Sequence, residues 1–192
     1  MEKFDASPTL LFERTPFVGK LVRKNKQRFP RSVQYGDIVR GLPISGGSCK
    51  AVYCSHVLEH LSLADCRKAL RNTINLLRPG GTFRAVLPDL EEAIRHYVSD
   101  GTQGAAPSFM RETQLGYEKR GRQASDLVKL FWGNSHHLWM WDYKSLAAEL
   151  EATGFTEIRR AFFGDAEEKM FQSAEQRDRW ANCLGIECKK PA

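Results

Sequence analysis

The residues best suited to chemistry lie together between positions 55 and 60, where the chain reads Ser-His-Val-Leu-Glu-His. Imidazole and carboxylate groups can move protons or bind metal ions, and a hydroxyl group can form hydrogen bonds. The apolar run 51–54 just before them is typical of a short strand. Ligands of open α/β sheets bind beyond the carboxyl ends of the strands. The first candidate site therefore consists of Ser55, His56, Glu59 and His60.

The same segment also fits His-x-x-Glu-His, a zinc-protease pattern whose histidines lie one helical turn apart. In that interpretation His56 and His60 bind zinc, and Glu59 is the base. The pattern requires a long helix around it and an acidic ligand further along the chain. Here it follows a predicted strand directly, and a new helix begins at Ser62. We therefore expect no metal site and keep a zinc hydrolase as the weakest alternative.

A second group of reactive side chains lies in residues 133–142, where the adjacent His136 and His137 precede Trp139 and Trp141. Loops on a rigid scaffold carry functional residues more often than cores do. We predict that His136 or His137 lies near a bound substrate. The alternative stays open that the tryptophans pack on the sheet and the histidines face solvent.

The elements predicted around these residues follow one another as in an open α/β protein. Ser62 is a good N-cap, and apolar residues recur after it at helical spacing up to Leu77. Residues 78–81, Arg-Pro-Gly-Gly, end this helix, and a strand over 82–87 leads to the polar Pro88-Asp89. The remaining predictions are two short helices within 8–29, a strand at 32–36, helices over 89–100, 142–154 and 166–181, a helical insertion over 108–133, and strands over 155–163 and 184–190.

Two segments, YCSHVLEHL and LLRPGGTFRAVLPD, together resemble class I S-adenosylmethionine-dependent methyltransferases of the small-molecule, type 11-like kind. The first is similar to that family's fourth strand and the turn after it, and the second to the next helix end and fifth strand. The resemblance covers residues 33–190 and implies a Rossmann-like α/β sheet flanked by helices, with LGIECKK as an antiparallel last strand. We expect one domain over 1–192, with residues 101–141 inserted over the active site.

The resemblance also implies roles for single residues. In YGDI, Asp37 would accept a hydrogen bond from the adenine of S-adenosylmethionine, and Ile38 would cover the ring. The alternative for Asp37 is a turn residue. Ser55 and His56 would line the methionine end of the cofactor. Methyl transfer needs mainly an in-line arrangement of the reacting atoms. A hydroxyl acceptor would also need a base, for which the candidates are His56, His136 and His137.

The amino-terminal segment departs from the family pattern. The family opens with a strand and a Gly-x-Gly-x-Gly loop, whose backbone passes close to the cofactor. The only glycines in residues 1–36 are Gly19 and Gly36, so this loop is absent there. FDASP resembles the end of the family's second strand, which makes Asp5 the candidate carboxylate for the ribose. We therefore predict a sheet that lacks the first strand–helix unit and an atypical segment over residues 1–32.

Loss of the first strand would leave an edge in the sheet. In the family's strand order, three-two-one-four-five-seven-six, strand one lies beside strand four, which corresponds here to residues 51–54. An apolar edge strand promotes aggregation unless it is covered. Two hypotheses follow. Strand 33–36 moves next to strand 51–54, or a second copy of the chain covers this edge in a homodimer.

Composition argues against several classes of protein. The net charge is +6, with basic residues clustered in 20–31 and 119–122, but aromatic residues do not interleave with them as a single-strand-binding groove requires. The Asn-Pro-Pro-Tyr loop of amino-methylating nucleic-acid enzymes is also absent, so we expect no nucleic-acid substrate. No apolar run reaches the roughly 20 residues of a membrane span, and the first residues do not resemble a signal peptide. Five cysteines without a CxxC pair indicate reduced thiols in a cytoplasmic protein.

These observations predict an S-adenosylmethionine-dependent methyltransferase that acts on a small-molecule or sugar-type acceptor. Without the glycine loop, we expect its activity to be weak or absent. The first alternative is a non-catalytic methyltransferase-like module for interaction or dimerisation, which the fold alone does not distinguish from an enzyme. The second is a truncated form of a longer enzyme.

Overall fold

The computed structural model describes residues 2–14, 29–118 and 136–192. The chain divides into two compact units, Met1–Pro43 with Lys119–Asn134 and Ile44–Glu118 with Ser135–Ala192. The prediction of one domain over 1–192 stays a prediction. The second short helix predicted within residues 8–29 and most of the insertion predicted over 108–133 lie outside the described residues.

In the first unit, two short strands pair in parallel. They are β1 (Lys3–Asp5) and β2 (Val33–Tyr35), with Asp5 opposite Tyr35. Helix α1 (Pro8–Arg14) begins after Asp5, whose carboxylate accepts a hydrogen bond from the Ser7 amide at 2.6 Å. FDASP thus ends a strand, as the sequence predicts, and β2 lies within the predicted strand 32–36.

The second unit is built on a four-stranded sheet with the strand order β3–β4–β6–β5. β3 and β4 are parallel, whereas β6 is antiparallel to both β4 and β5. This confirms the predicted α/β class and the antiparallel last strand, while the lack of a first strand–helix unit stays a prediction. The strands are β3 (Cys49–Ser55), β4 (Leu77–Pro88), β5 (Thr156–Ala161) and β6 (Cys183–Lys189).

Short polar side chains cap the main helices of this unit. Ser62 accepts the Asp65 amide, Asp89 accepts the Glu91 amide, and Asp142 accepts the Ser145 amide. Each bond satisfies a backbone donor that the first helical turn leaves free. None of the described helices is both long and apolar enough to cross a membrane. The helices are η1 (a 3₁₀ turn, Leu58–His60), α2 (Leu63–Leu76), α3 (Leu90–Ser99), α4 (Ala105–Glu112), α5 (Tyr143–Thr153), α6 (Lys169–Gln172) and η2 (a 3₁₀ turn, Arg177–Trp180).

The core of the second unit lies on one face of this sheet. Alternate residues of β4 point to opposite faces, so Phe83 and Leu87 join the apolar core while Arg84 faces the other way. Helices α2 and α5 cover the core face with Leu70 and Leu146, both fully buried. All five cysteines are free thiols, as the sequence predicts.

The hypothesis that strand 33–36 moves next to strand 51–54 is wrong. β2 pairs with β1, and within the described ranges β3 pairs with β4 alone. Gly36 explains part of this preference, because a Cβ at that position would overlap the Phe4 and Leu42 side chains. The close approach holds β2 against β1, where the Gly36 amide also donates to the Asp5 carbonyl at 3.2 Å. The homodimer over the edge of β3 stays a prediction.

The continuous helix predicted over 166–181 is also wrong, since only the short α6 and η2 form there. Glu175, between them, turns into the protein. Its carboxylate pairs with Arg84 Nε at 2.6 Å and accepts the Gly164 amide at 3.0 Å. These long-range contacts outweigh the local helical preference of a charged segment.

A candidate active site at the carboxyl ends of β3 and β4

His56 directly follows the carboxyl end of β3 and has an unusual backbone conformation. Its φ angle is +52°, in the left-handed region that residues other than glycine rarely occupy. The amide of His56 donates to the Val86 carbonyl of β4 at 2.9 Å. The ring nitrogen Nε2 lies 3.0 Å from the Arg179 carbonyl and 3.9 Å from Cys183 Sγ. Such backbone strain tends to occur at functional sites, so this position fits the predicted one.

Glu59 lies at the centre of the turn that follows. It is fully buried, and its Oε1 is 3.3 Å from His56 Nδ1 and 3.9 Å from His60 Nε2. The Cys183 thiol and the nearby Glu59 carboxylate raise the pKa of His56 to about 10, although burial opposes the shift. In this arrangement His56 carries a proton at neutral pH.

The structure separates the two adjacent histidines. His137 is buried, and its ring lies 5.0 Å from that of His60. Burial lowers the pKa of His137. His136 is more exposed, and its ring stacks on Tyr117 at 3.9 Å. The Leu138 and Trp139 amides both donate to the Glu59 carbonyl, at 2.7 and 3.2 Å, which holds this segment against the turn after β3.

A cleft of about 280 Å³ opens at the carboxyl end of β4. Asp89 closes one side, where it caps α3 and pairs with Arg160 at 3.3 Å. Glu92 and His96 of α3 form another wall, and they pair with each other at 3.1 Å. The remaining lining comes from Glu112, Thr113, Met140 and residues 181–183. Cys183 thus lines the cleft and also contacts His56.

The predicted site residues fall in both compact units. Ser55, His56 and His137 belong to the second unit, where Ser55 Oγ is enclosed beside the Tyr53 hydroxyl. Asp37 and Ile38 belong to the first unit. The Asp37 carboxylate accepts the Val39 amide at 2.8 Å and lies 3.5 Å from Arg40 Nε, so this residue does form a turn. A role in adenine binding stays a prediction.

The sequence analysis did not identify the cleft residues at the start of β6. Asn182 and Cys183 line the cleft, although no motif marks them. The signal was available in the predicted topology. Because β6 is antiparallel to β4, it begins at the edge where β4 ends, and Cys183 lies opposite Pro88. An antiparallel last strand therefore adds its first residues to the site.

Comparison with known protein families gives one match. Residues 11–85 match a family model described as a methyltransferase domain. The match includes β3 and the turn that carries His56 and Glu59, and it ends within β4. It agrees with the resemblance drawn from the sequence over this segment, which is less than half of the chain. No curated protein sequence matches the chain.

Several solved structures are similar to the chain at low sequence identity. A methyltransferase in complex with the Haloferax volcanii activator Trm112 has a TM-score of 0.49 at 16% identity, over 98% of this chain and 71% of that one. An S-adenosylmethionine-dependent methyltransferase from Archaeoglobus fulgidus has a TM-score of 0.47 at 13% identity, over 97% and 74%. PigF with S-adenosylhomocysteine has a TM-score of 0.44 at 17% identity, over 82% of this chain but only 35% of its own.

Proposed function

We propose that this chain, whose residues 11–85 match the methyltransferase-domain family, transfers a methyl group from S-adenosylmethionine to a small acceptor. The observation that carries the proposal is the cleft at the carboxyl end of β4. It lies next to the turn within the matched segment, where α/β sheets bind their ligands.

The cofactor is S-adenosylmethionine, which supplies an electrophilic methyl group when bound. We assign the adenine to Asp37 and Ile38 and the methionine end to Ser55 and His56. Two features support the second assignment. Ser55 Oγ is enclosed at the end of β3, and the strained backbone of His56 fixes its position at the same edge.

The size and lining of the cleft favour a small polar acceptor. A volume of about 280 Å³ is near the lower limit for small-molecule sites. The carboxylates of Glu92 and Glu112 can accept hydrogen bonds from hydroxyl or amino groups. These features suit the predicted small-molecule or sugar-type acceptor. The protein would mainly align the acceptor with the methyl group, which is the largest demand of this chemistry.

Three histidines are candidates for a base if the acceptor is a hydroxyl group, although His56 acts as a base only where the pH exceeds its raised pKa of about 10. His56 contacts Cys183, which lines the cleft. His137 packs on His60, and His136 stacks on Tyr117. We propose His56, His136 and His137 as the set to test, because a base must lie within hydrogen-bond reach of the proton that it removes.

The proposal is tested by calorimetric titration with S-adenosylhomocysteine, comparing Asp37→Ala with Asp100→Ala. The two aspartates are a matched pair, because each accepts the backbone amide two residues ahead, at 2.8 Å for Asp37 and 2.9 Å for Asp100. We expect micromolar binding by the wild type and at least about tenfold weaker binding by Asp37→Ala, the loss expected for a hydrogen bond to a charged group. Asp100→Ala should bind like the wild type.

Absence of binding at millimolar ligand would overturn the enzyme proposal and favour the non-catalytic interaction module. Equal losses of S-adenosylhomocysteine affinity in the two variants would show that Asp37 does not bind the cofactor, but they would not contradict methyl transfer. The predicted homodimer is measured separately by sedimentation velocity across a range of concentrations, where a persistent monomer would contradict it.

A further inference from the structure

The Glu59 carboxylate is buried without ordinary hydrogen-bond compensation. Its side chain is almost fully enclosed, and neither oxygen forms a hydrogen bond of normal geometry with the residues that the structure describes. Burying an ionised carboxylate is costly unless it is paired or coordinates a metal ion. His56 is one counter-charge, 3.3 Å from Oε1, but both carboxylate oxygens of Glu59 keep unused acceptor capacity.

The first neighbour of this carboxylate is His60. Its Nδ1 lies 3.1 Å from the His136 carbonyl, so Nδ1 carries the proton and donates. The other nitrogen, Nε2, then has a free lone pair and lies 3.9 Å from Glu59 Oε1. A backbone carbonyl that fixes one ring nitrogen and frees the other is the usual second partner of a metal-binding histidine.

The second neighbour is His137, which comes from a distant part of the chain. Its Nδ1 is buried and has no hydrogen-bond partner among the described residues. A neutral imidazole carries its proton on only one of its two nitrogens, so the unpartnered Nδ1 can present a lone pair to a metal ion. One ligand atom from each of Glu59, His60 and His137 lies within 4.8 Å of the others.

We propose that Glu59, His60 and His137 bind a divalent transition metal ion of the zinc type. Two imidazoles and one carboxylate form a donor set that zinc commonly takes. Ligand atoms of tetrahedral zinc lie about 3.3 Å apart at bond lengths near 2.0–2.2 Å, so small side-chain movements would close the site. His56 Nδ1, 3.3 Å from Glu59 Oε1, lies at the remaining side, which water can also fill.

This site differs from the zinc pattern considered for the sequence. There, His56 and His60 were the ligands and Glu59 was the base. Here Glu59 is itself a ligand, and His137 replaces the acidic ligand that the pattern requires further along the chain. The 3₁₀ turn Leu58–His60, rather than a long helix, presents the first two ligands. The metal ion would join this turn to residues 137–140, and Met140 of that segment lines the cleft.

The test is metal binding by the purified full-length chain after treatment with a chelator. Zn²⁺ is titrated by calorimetry, and Co²⁺ is added as a spectroscopic probe. We expect one equivalent of metal, visible cobalt bands of a tetrahedral site and a higher melting temperature with excess zinc. No thiolate-to-cobalt band should appear, because the proposed ligands include no cysteine.

The matched variants are His137→Gln and His136→Gln, which alter adjacent histidines of which only the first belongs to the cluster. We expect His137→Gln and Glu59→Gln to weaken zinc binding at least about tenfold, since even outer-shell changes have effects of this size. His136→Gln should bind zinc like the wild type. Circular dichroism shows whether each variant is folded, and the cobalt spectrum of the wild type provides a readout that needs no variant.

Three results would overturn the proposal: no zinc binding by the wild type, a thiolate band with cobalt, or unchanged zinc affinity in both Glu59→Gln and His137→Gln. In the first case, protonated His56 would be the sole counter-charge of Glu59. The measurement uses no methyl donor, so its failure leaves the proposed methyl transfer standing, and failure of cofactor binding leaves the metal site standing.

Discussion

Arg84 connects four segments of the second unit through one buried guanidinium group. Its Nε lies 2.6 Å from Glu175, and its Nη1 lies 2.9 Å from both Glu187 and Asp165. Nη2 donates to the Phe162 carbonyl at 2.7 Å. Because the planar guanidinium presents donors in several directions, one arginine can hold carboxylates that come from separate loops and strands.

We expect Arg84→Met to destabilise the protein by about 3–5 kcal/mol, because it leaves buried carboxylates without their cation. The free energy of unfolding in urea measures this change. Arg67→Met is the matched control, since Arg67 makes a two-point contact with Glu149 at 2.7 and 2.8 Å but at the surface. An exposed pair contributes at most about 1 kcal/mol. Equal losses in the two variants would contradict the prediction.

Single residues at the ends of strands and helices were predictable from the sequence. Ser62 is such a residue, and the caps Asp89 and Asp142 follow the same pattern of a short polar side chain before apolar residues at helical spacing. The partners of Arg84 were not predictable. Glu175 and Glu187 lie 91 and 103 residues away in the chain, and no local pattern records which distant carboxylate a buried cation will meet.

At the level of elements, helix α5 begins with a reciprocal cap. The Asp142 carboxylate accepts the Ser145 amide at 2.8 Å, and the Ser145 hydroxyl accepts the Asp142 amide at 3.3 Å. The Ser145 hydroxyl also donates to the Asp142 carboxylate at 2.6 Å, and this hydrogen bond, together with that from the Ser145 amide, lowers the pKa of Asp142. The ionised form therefore stabilises the fold above the ordinary pKa of an aspartate, and this contribution is lost as the pH falls through the lowered value.

We expect Asp142→Ala to cost about 1 kcal/mol at neutral pH. In thermal unfolding, the difference from wild type should shrink when the pH drops below the ordinary pKa of aspartate. Glu151→Ala, at an exposed position of the same helix, should change the stability by less than about 0.5 kcal/mol. A difference for Asp142→Ala that grows in acid would contradict the role of its charge.

Strand β6 depends on one glycine for its packing. A Cβ at Gly185 would overlap the Ala161 carbonyl of β5 and the Trp180 ring. We expect Gly185→Ala to cost about 1–3 kcal/mol through overpacking, which corresponds to a fall in melting temperature of several degrees. Gly101→Ala is the control, because that position has open space around it and no positive φ angle. An unchanged melting temperature in Gly185→Ala would show that β5 or Trp180 moves freely.

Helices and strands with clear periodicity were predicted, but their extent and contacts were not. β4 begins at Leu77 rather than at residue 82, because the RPGG segment continues the strand instead of only ending α2. Ile94, Tyr97 and Val98 share one apolar face of α3 at helical spacing but are exposed in the described structure, Val98 at 74%. The described aromatic contact of this face is Tyr97 with Phe109 of α4, at 5.6 Å. Spacing shows which residues share a face but not which partner covers it.

For the whole molecule, the net charge of +6 predicts weak and non-specific attraction to nucleic acids. The basic clusters lie outside the described residues, apart from Arg31. In fluorescence anisotropy with a labelled single-stranded DNA, we expect a dissociation constant of about 10 μM or weaker at physiological salt, with a steep loss on adding salt. Tight binding that survives high salt, or that prefers one sequence, would contradict the expected small-molecule substrate.

The strand arrangement of the whole molecule was predicted in part. The parallel pair β3–β4 and the antiparallel β6 follow from the motifs that resemble the methyltransferase family. The pairing of β2 with β1 was missed, because three-residue strands carry little pattern, and the decisive close contact of Gly36 with Phe4 joins distant parts of the chain.

Two tryptophans in the segment 137–141 provide an intrinsic fluorescence signal. Trp139 is 42% exposed and Trp141 is 1% exposed, with their rings 6.1 Å apart. The Trp139 amide donates a hydrogen bond to the Glu59 carbonyl. Met140, which lies between the two tryptophans in the sequence, lines the cleft. Tryptophan emission should therefore respond when either the turn or the cleft is occupied. Comparison with Trp139→Phe would assign the response to this segment, so that ligands can be screened without a label.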